Sequence, residues 1–230
     1  NQFQKLNKDL IILFSLMIFI SVILTGERAN SIKLFLSLFF FITFASSIDL
    51  KKKIIYLFIG LILTSIMIVK TDYLKLRFVK QIIKVPVNES LYVRIYKSGY
   101  EVFKTYPYFG TGNKNYRKVT CELERQKLKN KDYLCQTHPH QVYLEFLSEH
   151  GIFGTIIIFY VLYKLIFSKI KKIITNQNYI QLGSLMYLLM VFLPIIPSGA
   201  FFGDFLLTLF AINLSILYSS NPSLNIFKKY

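Results

Sequence analysis

The sequence predicts an all-α polytopic membrane protein, with about six transmembrane helices and one large outer loop carrying short helices. Three observations predict it. The 230-residue chain is 53% hydrophobic but only 17% charged, whereas a soluble domain carries about 25% charged residues. Apolar runs recur at lengths near those that cross a bilayer. Lysine clusters fall between these runs so that a single orientation satisfies all of them. Disorder is excluded, because it requires low hydrophobicity. Two cysteines are too few for a disulfide-rich scaffold. The net charge of +16 does not require nucleic acid, since the cytoplasmic loops of membrane proteins collect Lys and Arg.

The elements follow in order. A helix spanning ~30 Å of hydrocarbon needs roughly 17–25 mostly apolar residues. Six segments come close: 10–25, 32–48, 54–69, 152–167, 182–196 and 201–217. Lys5 and Lys8 precede the first, and Lys51, Lys52 and Lys53 separate the second from the third. Lys169, Lys171 and Lys172 follow the fourth, and Lys228 and Lys229 close the chain. With all four clusters cytoplasmic, six crossings alternate without conflict. The chain then divides into three N-terminal spans (1–69), an outer loop (70–151) and three C-terminal spans (152–230). Pro194, Pro197 and Gly199 suit a tight hairpin between the last two spans. No small-residue cleavage site follows the first apolar run, and the chain begins with Asn1. It therefore reads as the C-terminal part of a longer membrane protein.

The outer loop holds 15 basic and 8 acidic residues, an excess of 7. A loop of this length is exempt from the positive-inside rule. Most of its lysines need no more than solvent or anionic lipid heads as partners. Residues 73–84 set Leu76, Val79 and Ile83 among lysines, the spacing of an amphipathic interfacial helix. Asn88 suits the cap of a helix over 91–104, with Leu91, Ile95 and Val102 along its apolar stripe and Arg94 beside that stripe. Residues 114–131 are Lys-rich and poorly patterned, and read as a mobile loop. Cys121 and Cys135 share this outer side, where disulfides persist. A bond between them is favoured over two free thiols and would stabilise by about 3 kcal/mol in the chain-entropy model. Cys135, His138 and His140 lack a fourth ligand at zinc-site spacing, so no metal site is read.

Ionisable residues beside spans are functional candidates. Gly26, Glu27 and Arg28 form an outer turn between two spans. Taken alone, an interfacial ion pair explains them better than a guanidinium aimed at phosphate, although an Arg fork does suit phosphate. Pro107, Gly110 and Gly112 form a Gly-x-Gly turn that lets backbone approach a ligand, but taken alone a plain loop explains it better. The flanks of a nucleotide-binding loop are missing. The strongest run is 138–154, where His138 and His140 precede the fourth span. A neutral imidazole there can take a proton from a hydroxyl nucleophile; two solvated loop histidines fit the same spacing. Asp204, at the lip of the last span, is a minor candidate.

As an ordered set, these elements resemble the bacterial O-antigen ligase and O-antigen polymerase superfamily. The run 138–154 is similar to the family's His-Asn-x-Tyr-Leu…Glu-x-Gly-x-x-Gly signature, with Gln141 standing where Asn is usual. Residues 107–112 resemble its Pro-x-x-Gly-x-Gly element. Arg94 falls where such proteins carry an Arg, and residues 25–28 resemble their Gly-x-Arg turn. Such proteins have roughly twice as many spans, so the chain resembles their C-terminal half. The resemblance implies a glycosyltransferase of the bacterial inner membrane whose large loop is periplasmic. Its donor would be a glycan on undecaprenyl pyrophosphate, and its acceptor a hydroxyl of lipid A–core or a similar glycolipid. It implies that Arg28 and Arg94 bind the pyrophosphate and that His140, with His138 as second candidate, accepts the hydroxyl proton. Gly110, Gly112, Gln141 and Tyr143 would line the substrate. It also implies no cofactor and no metal, the arginines taking the usual cation's place. A polymerase joining repeat units shares every element. A transporter of lipid-linked anionic glycan would use the same charges, but transporters gather polar groups at the midplane, and here they lie at the outer face. A non-catalytic scaffold leaves the ordered arginines and histidines without a role.

Overall fold

The computed structural model describes residues 8–46, 48–84, 86, 90–122 and 133–221. Every regular element among them is helical. The chain divides into two compact units, Asn1–Pro86 and Val87–Tyr230.

In the first unit, α1 (Lys8–Leu24), α2 (Arg28–Phe44) and α3 (Leu50–Lys70) pack against one another. α1 and α2 form a hairpin that turns at Gly26, where φ is 71°. The chain then continues through α4 (Asp72–Lys75), a π-helical turn (Leu76–Lys80) and α5 (Gln81–Lys84). This is the helical stretch the amphipathic spacing predicts. Leu74 and Phe78 face the core, packing with Phe19, Ile23, Phe35 and Met67. Leu76, Val79 and Ile83 stay exposed, which suits a lipid interface. No residue of α3 is buried, and Ile55, Phe58, Ile62 and Ile66 all lie exposed along it. An apolar helix with no buried face gains nothing from water, so lipid is the environment in which it is stable.

The second unit contains α6 (Leu91–Thr105), α7 (Tyr116–Cys121), α8 (Val142–Leu165), a 3₁₀ turn (Phe167–Lys169), α9 (Ile170–Asn176), α10 (Tyr179–Val191) and α11 (Asp204–Ser219). α6 packs on α8 and buries Ile95, Ser98, Gly99 and Val102, whereas Leu91 remains exposed at the helix start. Ser90 takes the N-cap position, and Asn88 lies outside the described residues. Gly99 has a packing role, since a Cβ there would come within 2.8 Å of the Pro139 side chain. α7 begins inside the stretch expected to be a loop. Its Tyr116 and Val119, one turn apart, pack on Val102, and that burial organises a helix too short to form alone. Residues 123–131 of that expected loop lie outside the described residues.

α10 and α11 pack along each other. The buried Gln181 amide donates to the Leu217 carbonyl at 2.8 Å, and Asn178 donates to the Ser220 carbonyl at 2.9 Å. Leu50–Lys70 and the helical stretch Val142–Asn176 are long and apolar enough to cross a membrane, and Phe14–Leu24, Tyr179–Val191 and Asp204–Ser219 are shorter apolar helices. The connection between α10 and α11 is not a tight hairpin. Residues 192–203 form a folded loop whose backbone groups find partners on other elements, and this loop builds one wall of the site.

Candidate functional site

The site is organised by a break in α8. At Gly151, φ is 63° and ψ −171°, so the helix stops and restarts there. Such a break orphans backbone groups that must find other partners. The loop over residues 107–112 supplies them. Thr111 N–H donates to the Ser148 carbonyl (2.9 Å) and Gly112 N–H to the Glu149 carbonyl (2.8 Å). In return, Ile152 N–H donates to the Pro107 carbonyl (2.8 Å) and Phe153 N–H to the Tyr108 carbonyl (3.3 Å). Gly110 and Gly151, both with positive φ, lie where the two backbones touch. A Cβ on Gly110 would collide with the Glu149 carbonyl group, and one on Gly151 with the Tyr108 carbonyl group. The two glycine elements therefore have a common physical cause. The close approach that the Gly-x-Gly turn permits is made to Glu149 and His150 of α8, and Gly112 turns toward the Asn115 side chain.

His138 and His140 precede this broken helix, with ring centroids 4.0 Å apart. Thr137 Oγ1 lies 3.0 Å from His138 Nδ1, and the Ser198 carbonyl lies 3.4 Å from Nε2. A carbonyl can only accept, so Nε2 carries the proton and Nδ1 accepts from the Thr137 hydroxyl. Both nitrogens of His138 are thereby engaged. His140 sits at φ 52° and presents its ring edge-on to Tyr92, with centroids 6.2 Å apart. Its carbonyl accepts from Ser198 N–H at 2.9 Å, and the Ser198 carbonyl also serves its ring; the other ring nitrogen has no partner among the described residues. Burial pushes His138 down to about 4, the neighbouring His140 adds to the effect, and the Ser198 carbonyl opposes it. Burial lowers His140 as well. Both imidazoles are therefore neutral at pH 7, the form that can accept a proton.

Gln141 caps α8, its Oε1 accepting from Leu144 N–H at 2.8 Å. Tyr143 donates its hydroxyl to the Phe192 carbonyl at 2.6 Å. These side chains thus already serve the fold. The 192–203 loop is also tied to Tyr96, whose hydroxyl donates to the Ile195 carbonyl at 2.9 Å. Its deepest anchor is Glu145, which sequence reasoning did not single out. The buried Glu145 carboxylate accepts from the backbone N–H of Phe201 (2.8 Å) and Phe202 (3.3 Å). Two acids four residues apart, Glu145 and Glu149, at the head of an otherwise apolar helix were the available signal. Glu145→Ala leaves the buried Phe201 N–H and the half-buried Phe202 N–H unpaired and is expected to destabilise by about 2–4 kcal/mol, with Glu145→Gln losing less. Thermal melting in detergent measures this, and an alanine variant that melts with the wild type would remove the anchoring role.

A disulfide joins Cys121 to Cys135, with Cα atoms 4.5 Å apart. Next to it, the Thr120 hydroxyl donates to the Gln136 carbonyl at 3.3 Å, and Leu134 N–H donates to the buried Ser98 hydroxyl at 3.0 Å. These ties hold the segment leading into His138. Between α7, the histidines and the 192–203 loop lies a cavity of about 410 Å³, lined by Lys114, Arg117, His138, Glu145, Glu149 and Phe202 among others. Asp204 lies just outside its lining; its side chain is fully exposed and 3.5 Å from Lys114 Nζ.

Of the arginines singled out in the sequence, Arg28 opens α2 in the first unit and is half-buried. The turn before it is braced by the Tyr73 hydroxyl on the Thr25 carbonyl (3.1 Å) and by Arg77 Nε on the Gly26 carbonyl (3.3 Å). Arg94 is exposed on α6. It lies two residues from both Tyr92 and Tyr96, about 200° around the helix, so it occupies the flank away from the ring that meets His140. Within the second unit, the structure brings together His138, His140, Glu145 and Glu149, and does not bring Arg94 to them.

No curated protein and no solved structure matches the chain. A family model described as O-antigen ligase matches residues 12–159. That match runs through the Arg28 turn, α6, the backbone exchange at Gly110 and Gly151 and the histidine pair, and it covers more than half of the chain, which therefore belongs to the O-antigen ligase family.

Proposed function

We propose that the protein transfers a glycan from undecaprenyl pyrophosphate to a hydroxyl acceptor, lipid A–core or a similar glycolipid, at the periplasmic face of the bacterial inner membrane. Six crossings, with residues 70–151 outside, put the histidine pair on that face. The observation that carries the reading is the place of His140, packed against His138 and Tyr92 at the head of a broken helix inside the family-matched region, where burial favours its neutral form. The acceptor hydroxyl attacks the anomeric carbon, the bond to the pyrophosphate oxygen breaks, and the lipid pyrophosphate departs. His140 takes the hydroxyl proton. Arg28, with no side-chain partner among the described residues, binds the pyrophosphate and offsets the charge that grows on it, assisted by Arg94. Neither arginine needs a metal ion beside it for this role.

The test deletes the full-length gene, complements it with wild type, Arg28→Ala or His140→Ala, and separates the cell's glycolipids on a gel. Long glycan left on undecaprenyl pyrophosphate beside bare acceptor identifies a ligase. Acceptor capped by single repeats identifies a polymerase, and an unchanged profile in the deletion strain rejects glycan transfer. Arg28→Lys is expected to retain under a tenth of wild-type transfer, since a lysine cannot grip two phosphate oxygens with a planar fork. Full activity in Arg28→Lys would show that only charge is required there.

A further inference from the structure

The cavity beside His138 is not used by the chemistry above, and its lining has a definite character. Lys114 and Arg117 place two positive charges on it, and Glu145 and Glu149 two carboxyls, which burial holds above the usual carboxylate range, so the wall carries both signs and is not strongly basic. Asp204, next to Lys114, adds further negative charge. A phosphate gains little from such a wall. A neutral ligand rich in hydroxyls gains more, because it meets donors and acceptors together. Arg117 is exposed and has no side-chain partner among the described residues, leaving five N–H donors open. The Glu149 carboxylate accepts the backbone N–H groups of Lys114 and Tyr116, and a carboxylate with about four lone-pair sites retains acceptor capacity. The half-buried Phe202 ring lines the same cavity and offers the apolar surface on which the C–H face of a pyranose packs. At about 410 Å³, the cavity lies at the small end of the roughly 300–1,000 Å³ range of ligand pockets, suited to one or two sugar rings and too small for a long glycan.

We infer that this cavity is a sugar-ring subsite, with Arg117 and Glu149 hydrogen-bonding the ring hydroxyls and Phe202 packing on its apolar face, next to the histidines. The inference rests on the proposed glycan transfer, and the ring can belong to either the acceptor or the donor glycan.

The test uses the full-length protein in detergent micelles. Saturation-transfer NMR is recorded with methyl glucoside, methyl galactoside and methyl N-acetylglucosaminide, with inorganic pyrophosphate as competitor. At least one glycoside should bind, Arg117→Ala should weaken it about tenfold, Arg117→Lys should recover part of the loss, and pyrophosphate should not displace it. Silence with all three glycosides overturns the subsite, as does a signal unchanged in both Arg117→Ala and Phe202→Leu. Pyrophosphate bound in an Arg117-dependent way, displacing the sugar, overturns it in favour of an anion site. Transfer kinetics in Arg117→Ala identify the source of the ring. A roughly tenfold rise in acceptor KM alone marks an acceptor ring, and the same rise in donor KM alone marks a donor ring. The two readings fail separately: transfer without Arg117-dependent sugar binding removes only the subsite, and sugar binding in a protein without transfer removes only the proposed reaction.

Discussion

His140→Ala is expected to lower glycan transfer by at least a hundredfold while the protein accumulates in the membrane at the wild-type level. General-base catalysis typically contributes about 10²–10⁴-fold, and His140 is the imidazole of the pair with a ring nitrogen that has no partner among the described residues. His138 donates through Nε2 to the Ser198 carbonyl and accepts at Nδ1 from Thr137, so His138→Ala should cost less and act by loosening the 192–203 loop. Because His140 sits at φ 52°, alanine adds some backbone strain. His140→Asn separates the two effects, since Asn tolerates this conformation but has no basic nitrogen, and it should be as inactive as alanine. The acid limb of the pH profile provides a further check. Burial lowers the His140 pKa, so the neutral base persists as pH falls through the usual histidine value of 6.5. Transfer should hold at pH 6.5 and fall only below it. An asparagine variant within threefold of wild type would end the assignment of His140 as base.

Much of the fold was legible in the sequence because its signals are local. Helices at 28–44, 50–70 and 91–105 follow from apolar length or amphipathic spacing, and Gly26, Gly110 and Gly151 all take the positive φ that glycine permits. What was not legible depends on contacts between segments distant in sequence. A Lys-rich start hid α7, because only its packing on Val102 makes that stretch a helix. The loop after α10 looked like a hairpin, because prolines report a turn but not the partners of its backbone; those partners are Glu145, Tyr96 and His140. The candidate site shows the same division. The histidines stood out by residue type. Glu145, Lys114 and Arg117 did not, since each looks like ordinary surface charge until the fold gathers them around a cavity.

Gly151→Ala and Gly110→Ala are expected to destabilise the protein by about 3–5 kcal/mol each, which places them among the most damaging single substitutions. Two costs combine. A non-glycine residue in such a positive-φ conformation costs about 1–3 kcal/mol. The added Cβ also meets backbone carbonyl atoms of the opposing segment, which cannot yield as the tip of a flexible side chain would. Separating the segments enough to admit a methyl group strains four backbone hydrogen bonds, each worth about 0.5–1.5 kcal/mol net. Gly60 provides the control. It lies in α3, and a Cβ there would meet open space, so Gly60→Ala should be neutral or slightly stabilising through better helix propensity. Melting of the purified protein in detergent compares the three, and a Gly151→Ala variant melting with Gly60→Ala would refute the backbone exchange as the keystone of the site. The effect should reach function before global unfolding does. The exchange holds α8 beside the 107–112 loop, and α8 carries Glu145 on one side of the break and Glu149 at its edge. A partial separation would therefore shift the Glu145-anchored loop whose Ser198 carbonyl orients both imidazoles. Transfer should accordingly be lost at temperatures where most of the helix signal in circular dichroism survives.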